Sequence, residues 1–117
     1  MLDEITIIHN PRCSKSRNTL QLLKDWKKEP VVRLYLEDKL SSNEIVVICK
    51  KLGISPVELL RKKEQEVKDF IGEFGTLTDS DAMKLMIKYP RVIERPIVIV
   101  GDKARIGRPP ECVLELL

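Results

Sequence analysis

The first 36 residues constrain the fold most, because strand and helix patterns alternate within them. Ile5-Thr6-Ile7-Ile8 is a short β-branched run that ends at His9-Asn10-Pro11, where proline interrupts a strand ladder. Apolar residues then recur at helical spacing between residues 14 and 28, and a second strand-like run covers residues 31–36. Because two strands joined by a helix are normally parallel, this order predicts a βαβ unit.

Helix signals fill the middle of the chain. Ser41-Ser42-Asn43-Glu44 is a capping box, and Ser55-Pro56-Val57-Glu58 repeats the same signature with proline at the first helical position. Thr78 with Asp81 opens a third helix. In the charged stretch between these helices the pattern predicts a short helix, from about Val67 to Ile71.

The last third returns to strands. Two apolar runs at residues 96–100 and 103–106 flank Gly101-Asp102, a dipeptide typical of a two-residue hairpin. A short terminal helix is expected from Pro109 onwards. The complete order, β-α-β, a helical block and β-β-α, is the thioredoxin plan. We therefore predict an α/β, thioredoxin-like fold with a four-stranded mixed sheet and a helical insertion between the second and third strands.

Length and composition indicate an ordinary globular protein. The 117 residues predict a single domain over 1–117, with the helical insertion at about 40–90. A net charge of +3 with 4% aromatic residues gives no basic or stacking surface for nucleic acid. No apolar run approaches the ~20 residues of a membrane span, and the N-terminus is acidic rather than signal-like. We expect a cytoplasmic protein that binds neither nucleic acid nor membrane.

The three cysteines are candidates for reactivity rather than for disulfides or metal. Cys13, Cys49 and Cys112 are widely spaced, and with one histidine in the chain the ligands for a metal site are too few. Cys49 lies on the apolar stripe of a predicted helix, which is typical of a structural cysteine, and Cys112 beside Val113 favours the same interpretation.

Cys13 differs from the other two because it lies in the loop before the first predicted helix. The helix dipole, free backbone N–H groups and the nearby cations Arg12, Lys15 and Arg17 all favour a thiolate there. The same features can bind an oxyanion. The loop therefore predicts a nucleophilic thiolate beside an anion pocket.

Three arginines at the ends of predicted elements could complete that pocket. They are Arg61, Arg95 and Arg108. Arginine suits this role because its planar guanidinium group binds two oxygens at once and stays protonated. Arg95 also precedes Pro96, and thioredoxin-like folds place a cis-proline before the third strand, so we predict a cis Arg95–Pro96 bond.

Six motifs, in order along the chain, together resemble one known family. They are His9-Asn10-Pro11 through Cys13, Ser16-Arg17-Asn18-Thr19-Leu20, Leu34-Tyr35-Leu36-Glu37, Leu59-Leu60-Arg61-Lys62, Glu94-Arg95-Pro96-Ile97-Val98 and Arg108-Pro109. The resemblance is to the glutaredoxin-coupled arsenate reductases (ArsC-like), and within them to the short YfgD-like branch.

The resemblance implies an oxidoreductase that reduces arsenate to arsenite. The family's nucleophile corresponds to Cys13, and its oxyanion-binding arginines to Arg61, Arg95 and Arg108. Glutathione would be a co-substrate, glutaredoxin a protein partner, and no cofactor would be bound.

The resemblance also suggests supporting residues around the cysteine. His9 is expected to stabilise the thiolate by hydrogen bonding or as a cation, although a strand-end histidine satisfied by the backbone is an equal alternative. The Ser16 hydroxyl could donate to the sulfur or cap the helix. Asn10, Arg17 and Pro96 are expected to support the site.

Three other functions fit parts of the pattern. A transcriptional regulator of the Spx type would carry a second cysteine where this chain has Ser16. A low-molecular-weight tyrosine phosphatase would carry an arginine where it has Thr19. A general glutathione-dependent thiol oxidoreductase without arsenate activity stays open.

Overall fold

The computed structural model describes residues 4–117. Its strands are β1 (Ile5–His9), β2 (Val31–Leu34), β3 (Ile97–Val100) and β4 (Lys103–Ile106). Its α-helices are α1 (Ser14–Asp25), α2 (Ser42–Leu52), α3 (Gln65–Phe74) and α4 (Asp79–Lys88). Short 3-10 segments cover Val57–Leu59, Pro90–Val92 and Pro110–Leu116. The predicted order of strands and helices is confirmed.

The four strands form one mixed sheet in the order β2-β1-β3-β4. β1 is parallel to β2 and antiparallel to β3, and β3 is antiparallel to β4. The parallel pair follows from the β1-α1-β2 crossover, and the antiparallel pair β3-β4 follows from the tight turn at Gly101, where φ is +61°. The predicted four-stranded mixed sheet is confirmed.

The chain divides into two compact units, one formed by residues up to 38 together with 95–117 and the other by residues 39–94. The first unit contains the sheet and α1. Its core consists of fully buried Ile7, Leu23, Val98 and Val113. These residues come from β1, α1, β3 and the terminal 3-10 segment, so the core fixes α1 on the sheet and with it the loop that carries Cys13.

The second unit contains the helices between β2 and β3. The capping boxes at Ser41 and Thr78 are both present, with Glu44 and Asp81 returning the second hydrogen bond of each box. Gly53 ends α2 in the left-handed conformation at φ +73°, as the sequence predicts. Local capping chemistry therefore sets the bounds of α2 and the start of α4.

Three helices differ from the sequence expectation. The Ser55–Glu58 pattern predicts a helix, but this part of the chain forms only a three-residue 3-10 turn. The helix does not continue because Leu60 adopts an extended conformation and forms a β-bridge with Ile93. α3 is longer than predicted, and its last turns carry contacting Phe70 and Phe74 rings 4.6 Å apart. The terminal helix is of the 3-10 type.

No helix within residues 4–117 is long and apolar enough to cross a membrane.

Candidate active site

The turn between β1 and α1 holds Cys13 at the N-cap of the helix. The Cys13 N–H donates to the Asn10 carbonyl at 3.0 Å, and the Cys13 carbonyl accepts from the Arg17 N–H at 3.0 Å. Its backbone is extended, with φ −96° and ψ 125°. In this position the sulfur receives hydrogen bonds from the backbone N–H groups of Lys15 and Ser16, which have no partner inside the helix.

Two of the predicted arginines reach the same sulfur. The Arg95 guanidinium group hydrogen-bonds to the Cys13 sulfur, and Arg108 Nη2 lies 3.6 Å from it. Arg108 Nε also donates to the Arg95 carbonyl at 2.9 Å, which ties the two arginine segments together.

The register of the sheet explains why these segments meet. Ile8 near the end of β1 is opposite Ile97 at the start of β3, and Ile97 is opposite Ile106 at the end of β4. The residues that follow β1, precede β3 and follow β4 therefore lie together at the same end of these three neighbouring strands. Cys13, Arg95 and Arg108 belong to these three segments.

The pKa of the Cys13 thiol is lowered. Burial alone would raise this pKa, but several groups outweigh it: the Ser16 N–H, the Arg95 guanidinium hydrogen bond, the Lys15 N–H and the positive charge of Arg95. All of these favour the charged form of the sulfur. The site therefore favours a thiolate, which is the nucleophilic form of cysteine.

His9 reaches the cysteine loop through Ser16. His9 Nδ1 and Ser16 Oγ are 2.5 Å apart, and the same Oγ accepts the Asn10 N–H at 3.0 Å. The Ser16 hydroxyl is thus engaged with His9 and Asn10, whereas its backbone N–H serves the sulfur. Asn10 and Arg17 brace the same loop, since Asn10 Oδ1 accepts the Arg12 N–H and Arg17 Nη1 donates to the Pro11 carbonyl, each at 3.0 Å.

The pKa of His9 is lowered, first by burial and then by the positive charges of Arg17 and Lys24. The side chain is 5% exposed, so a charged imidazole would lose most of its hydration. These conditions favour the neutral, hydrogen-bonding role of His9 over the cationic one.

This pKa makes the stability of the protein pH-dependent. Unfolded histidine titrates near ~6.5, and the folded pKa lies below that value. The unfolded state therefore binds the proton first, and the free energy of unfolding should fall as the pH drops from about 6.5 through the folded pKa. Urea denaturation across this range should show a loss of stability that His9→Gln, which removes the only histidine, lacks. An NMR titration with a His9 pKa at or above ~6.5 would contradict the assignment.

Gly107 is a site residue that the sequence reasoning missed. A Cβ at this position would lie 2.5 Å from Thr19 Oγ1 and 2.8 Å from Pro96 Cγ. The Gly107 N–H donates to the Pro96 carbonyl at 2.9 Å, and the Thr19 hydroxyl donates to the Lys15 carbonyl at 2.8 Å. Glycine therefore lets the end of β4 approach both α1 and Pro96. The only signal in the sequence is its place directly before Arg108.

Gly107→Ala should destabilise the protein and displace Arg108 from Cys13. Neither neighbour can give way easily, because Thr19 is β-branched and buried and Pro96 is a rigid ring. We expect a loss of about 1–3 kcal/mol in the free energy of unfolding. Gly72→Ala is a matched control, since nothing lies within 4 Å of its Cβ position in α3 and alanine favours a helix by about 0.5–1 kcal/mol. Equal stability of the two variants in urea would contradict the close approach at Gly107.

The third predicted arginine, Arg61, belongs to the second unit. Its N–H donates to the Val92 carbonyl at 2.7 Å. Arg61 Nε lies 3.4 Å from Glu64 Oε1 and 3.8 Å from Glu94 Oε1, but these ion pairs lack hydrogen-bond geometry. Within residues 4–117, Nε and Nη1 are buried with no hydrogen-bond partner. An oxyanion would satisfy them, so the role of Arg61 stays a prediction.

The other two cysteines are free. Cys49 is buried, and its pKa is raised by burial and by the charges of Asp79 and Glu58, which makes it a poor nucleophile. Cys112 is half-buried in the terminal 3-10 segment. Within residues 4–117, no group of three histidine, cysteine or carboxylate side chains could hold a metal ion.

The predicted cis Arg95–Pro96 bond is confirmed, and the Arg108–Pro109 bond is also cis. The second was not predicted, although an X–Pro bond at this position was the available signal. Fold and site together define the class of this protein as thioredoxin-like, with a thiolate-forming cysteine at the start of the first helix and arginines beside it.

The chain belongs to the ArsC family, whose sequence profile matches residues 8–116. It is 46% identical to an arsenate reductase from Haemophilus influenzae, covering 97% of this chain and 98% of that protein. It is 44% identical to the uncharacterized protein YfgD of Escherichia coli K12, covering 100% and 99% of the two chains.

Solved structures agree with this assignment. An arsenate reductase from Vibrio cholerae matches with a TM-score of 0.92 at 41% identity, over 100% of both chains. An ArsC-related protein from Bacteroides fragilis matches with a TM-score of 0.82 at 18% identity, over 97% of this chain and 99% of that one. The second match supports the fold alone.

Proposed function

We propose that this protein reduces arsenate to arsenite, with the Cys13 thiolate as nucleophile and glutathione and glutaredoxin as the reducing partners. The observation that carries the proposal is the convergence of Arg95 and Arg108 on a cysteine sulfur of lowered pKa. The high identity to proteins named arsenate reductase supports arsenate as the substrate.

The arginines address the main electrostatic obstacle of the reaction. Attack by a thiolate on an arsenate anion brings like charges together, at a cost of about 4 kcal/mol per pair at ~4 Å and an effective dielectric constant near 20. Fixed guanidinium groups beside the sulfur offset this repulsion and bind the arsenate oxygens. Arg61, with buried nitrogens that lack hydrogen bonds among the described residues, would be a third oxyanion ligand.

The proposed reaction has two steps at Cys13. The thiolate forms a bond to arsenic and displaces one oxygen, which leaves as water after protonation. Glutathione thiolate then attacks the Cys13 sulfur, and the electron pair of the sulfur–arsenic bond stays on arsenic, which leaves as arsenite. Arsenic is thereby reduced from As(V) to As(III), and the two thiols are oxidised to a mixed disulfide. Glutaredoxin would return Cys13 to the thiol by disulfide exchange.

The other residues around the sulfur support this chemistry. His9 holds Ser16, whose N–H hydrogen-bonds to the thiolate, and we assign His9 this positioning role. A cytoplasmic setting, in which glutathione keeps thiols reduced, fits the three free cysteines.

A general glutathione-dependent thiol oxidoreductase is the alternative, because a cysteine of lowered pKa suits disulfide exchange as well. The test compares arsenate-dependent oxidation of glutathione with release of glutathione from a glutathionylated peptide, both with glutaredoxin present. Arsenate turnover that depends on glutathione supports the proposal. Peptide turnover without arsenate turnover would assign the alternative.

A further inference from the structure

The strand β2 (Val31–Leu34) forms one outer edge of the sheet. Among residues 4–117 it pairs with one strand, β1. The backbone N–H and C=O groups on its outer side therefore have no strand partner in the described part of the chain. A row of such groups at a sheet edge is a template for pairing with a strand of another chain.

The opposite edge, β4, is protected in ways that β2 is not. β4 carries Lys103 and Arg105, and charged side chains on an edge strand discourage pairing with other chains. Arg105 Nε also lies 2.9 Å from Glu115 Oε2, which ties the terminal 3-10 segment to this strand. In β2 the one charged residue is Arg33, and its Nε is turned back onto Asp38 at 2.8 Å. The edge that is open to another strand is therefore β2.

The side chains in and around β2 are apolar and exposed. Val31 and Val32 are 48% and 42% exposed, and Trp26 before the strand and Leu36 after it are exposed as well. In the described part of the first unit, these four residues and Leu117 make up the exposed large hydrophobic side chains. Exposed apolar surface of this unit is thus concentrated around one strand, as is typical of a protein interface.

Charges of opposite sign flank β2. Lys27 and Lys28 precede the strand with Glu29, an excess of one positive charge, and Glu37 follows the strand. Among residues 4–117, the side chains of Lys27, Lys28 and Glu37 form no ion pair. When a second β2 runs antiparallel to the first, the basic start of each strand lies beside the acidic end of the other. The edge is therefore complementary in charge to a second copy of itself.

We propose that this protein forms a dimer in which the β2 strands of two copies pair antiparallel about a two-fold axis. This pairing joins two four-stranded sheets into one sheet of eight strands. Because the same edge is used by both copies and β4 is protected, the assembly closes at two chains.

The register of the pairing follows from the alternation of side chains. Opposite residues share a face of the sheet, so the two-fold axis must pass through a residue rather than between two. An axis at Val32 pairs this valine with itself and sets Lys27 level with Glu37 of the second copy. An axis at Arg33 would set two arginines opposite each other, which is unfavourable. We therefore place the axis at Val32.

Sedimentation equilibrium of the full chain tests the dimer by measuring its dissociation constant. We expect a reversible equilibrium between monomer and dimer without larger species. Val32→Lys should raise the dissociation constant by about tenfold or more, because it sets two lysines opposite each other at the axis. Val46→Lys is the matched control, since Val46 is 40% exposed on α2 in the second unit. It should leave the constant unchanged, and circular dichroism confirms that both variants fold.

Charge reversal tests the antiparallel orientation. The double variant Lys27→Glu/Lys28→Glu has two acidic ends, and Glu37→Lys has two basic ends. Each should associate with itself more weakly than the wild type does, whereas a mixture of the two should form a mixed dimer, because every contact then joins opposite charges. Self-association of each variant at the wild-type strength would contradict the antiparallel pairing.

Hydrogen–deuterium exchange locates the contact. The backbone amides of residues 31–34 should exchange more slowly as the protein concentration rises, whereas those of β4 should not change. A chain that stays monomeric up to about 1 mM, a dissociation constant typical of very weak contacts, overturns the proposal. So does a dimer that forms equally well with Val32→Lys or that is protected away from β2. These measurements contain no arsenate, so their outcome is independent of the proposed function.

Discussion

Cys13→Ser should abolish arsenate reduction. A serine hydroxyl stays protonated near neutral pH, so the hydrogen bonds from Lys15, Ser16 and Arg95 would have no thiolate to stabilise. The measurement is glutathione- and glutaredoxin-dependent arsenite formation, with circular dichroism to confirm folding. Turnover at the wild-type rate by folded Cys13→Ser would remove Cys13 from the mechanism.

The other two cysteines provide the controls. Cys49→Ser and Cys112→Ser should keep most of the activity, because Cys49 is buried with a raised pKa and Cys112 has no part in the proposed steps. If either variant is folded yet inactive, an intramolecular cysteine resolves the Cys13 intermediate and the glutathione scheme is wrong.

Arg95→Ala should lower kcat/KM for arsenate by about a hundredfold or more, the loss expected for one charged transition-state contact of ~3 kcal/mol. Arg95 hydrogen-bonds to the sulfur and adds a positive charge beside it. The variant should therefore also raise the pKa of Cys13, measured by the ultraviolet absorbance of the thiolate. Arg105→Ala is the control, since Arg105 is paired with Glu115 at 2.9 Å on β4 and should leave both quantities nearly unchanged.

Arg95→Lys separates charge from geometry. Lysine keeps the positive charge and should restore the low pKa of Cys13 in part, but it cannot bind two arsenate oxygens in one plane. We expect kcat/KM to recover only partly. Full recovery would show that Arg95 acts as a simple charge, and no change in Arg95→Ala would exclude it from the oxyanion site.

Sequence patterns were most informative where the interactions are local. The capping boxes at Ser41 and Thr78 and the turn at Gly101 follow from hydrogen bonds and backbone preferences within a few residues. The position of Cys13 at the start of α1 is equally local. These features need no knowledge of the rest of the chain.

Patterns were less informative where distant segments compete with local preference. The Ser55–Glu58 signature favours a helix, but Leu60 becomes extended and bridges to Ile93. The Ser16 hydroxyl is a different case: it was a candidate donor to the sulfur, whereas the structure engages it with His9 and Asn10 at the other end of the same loop. For Leu60 a distant partner decides the outcome, and for Ser16 the three-dimensional shape of the loop decides it.

By itself, the sequence determined the order of strands and helices, the position of Cys13 at the start of α1 and the family resemblance, because each depends on nearby residues or on the order of motifs along the chain. Only the tertiary structure decided that Arg95 and Arg108 reach one sulfur and that Gly107 must lack a side chain beside Thr19. These contacts join segments separated by as many as 95 positions. Their geometry is set by the register of β1, β3 and β4, which no spacing along the chain encodes.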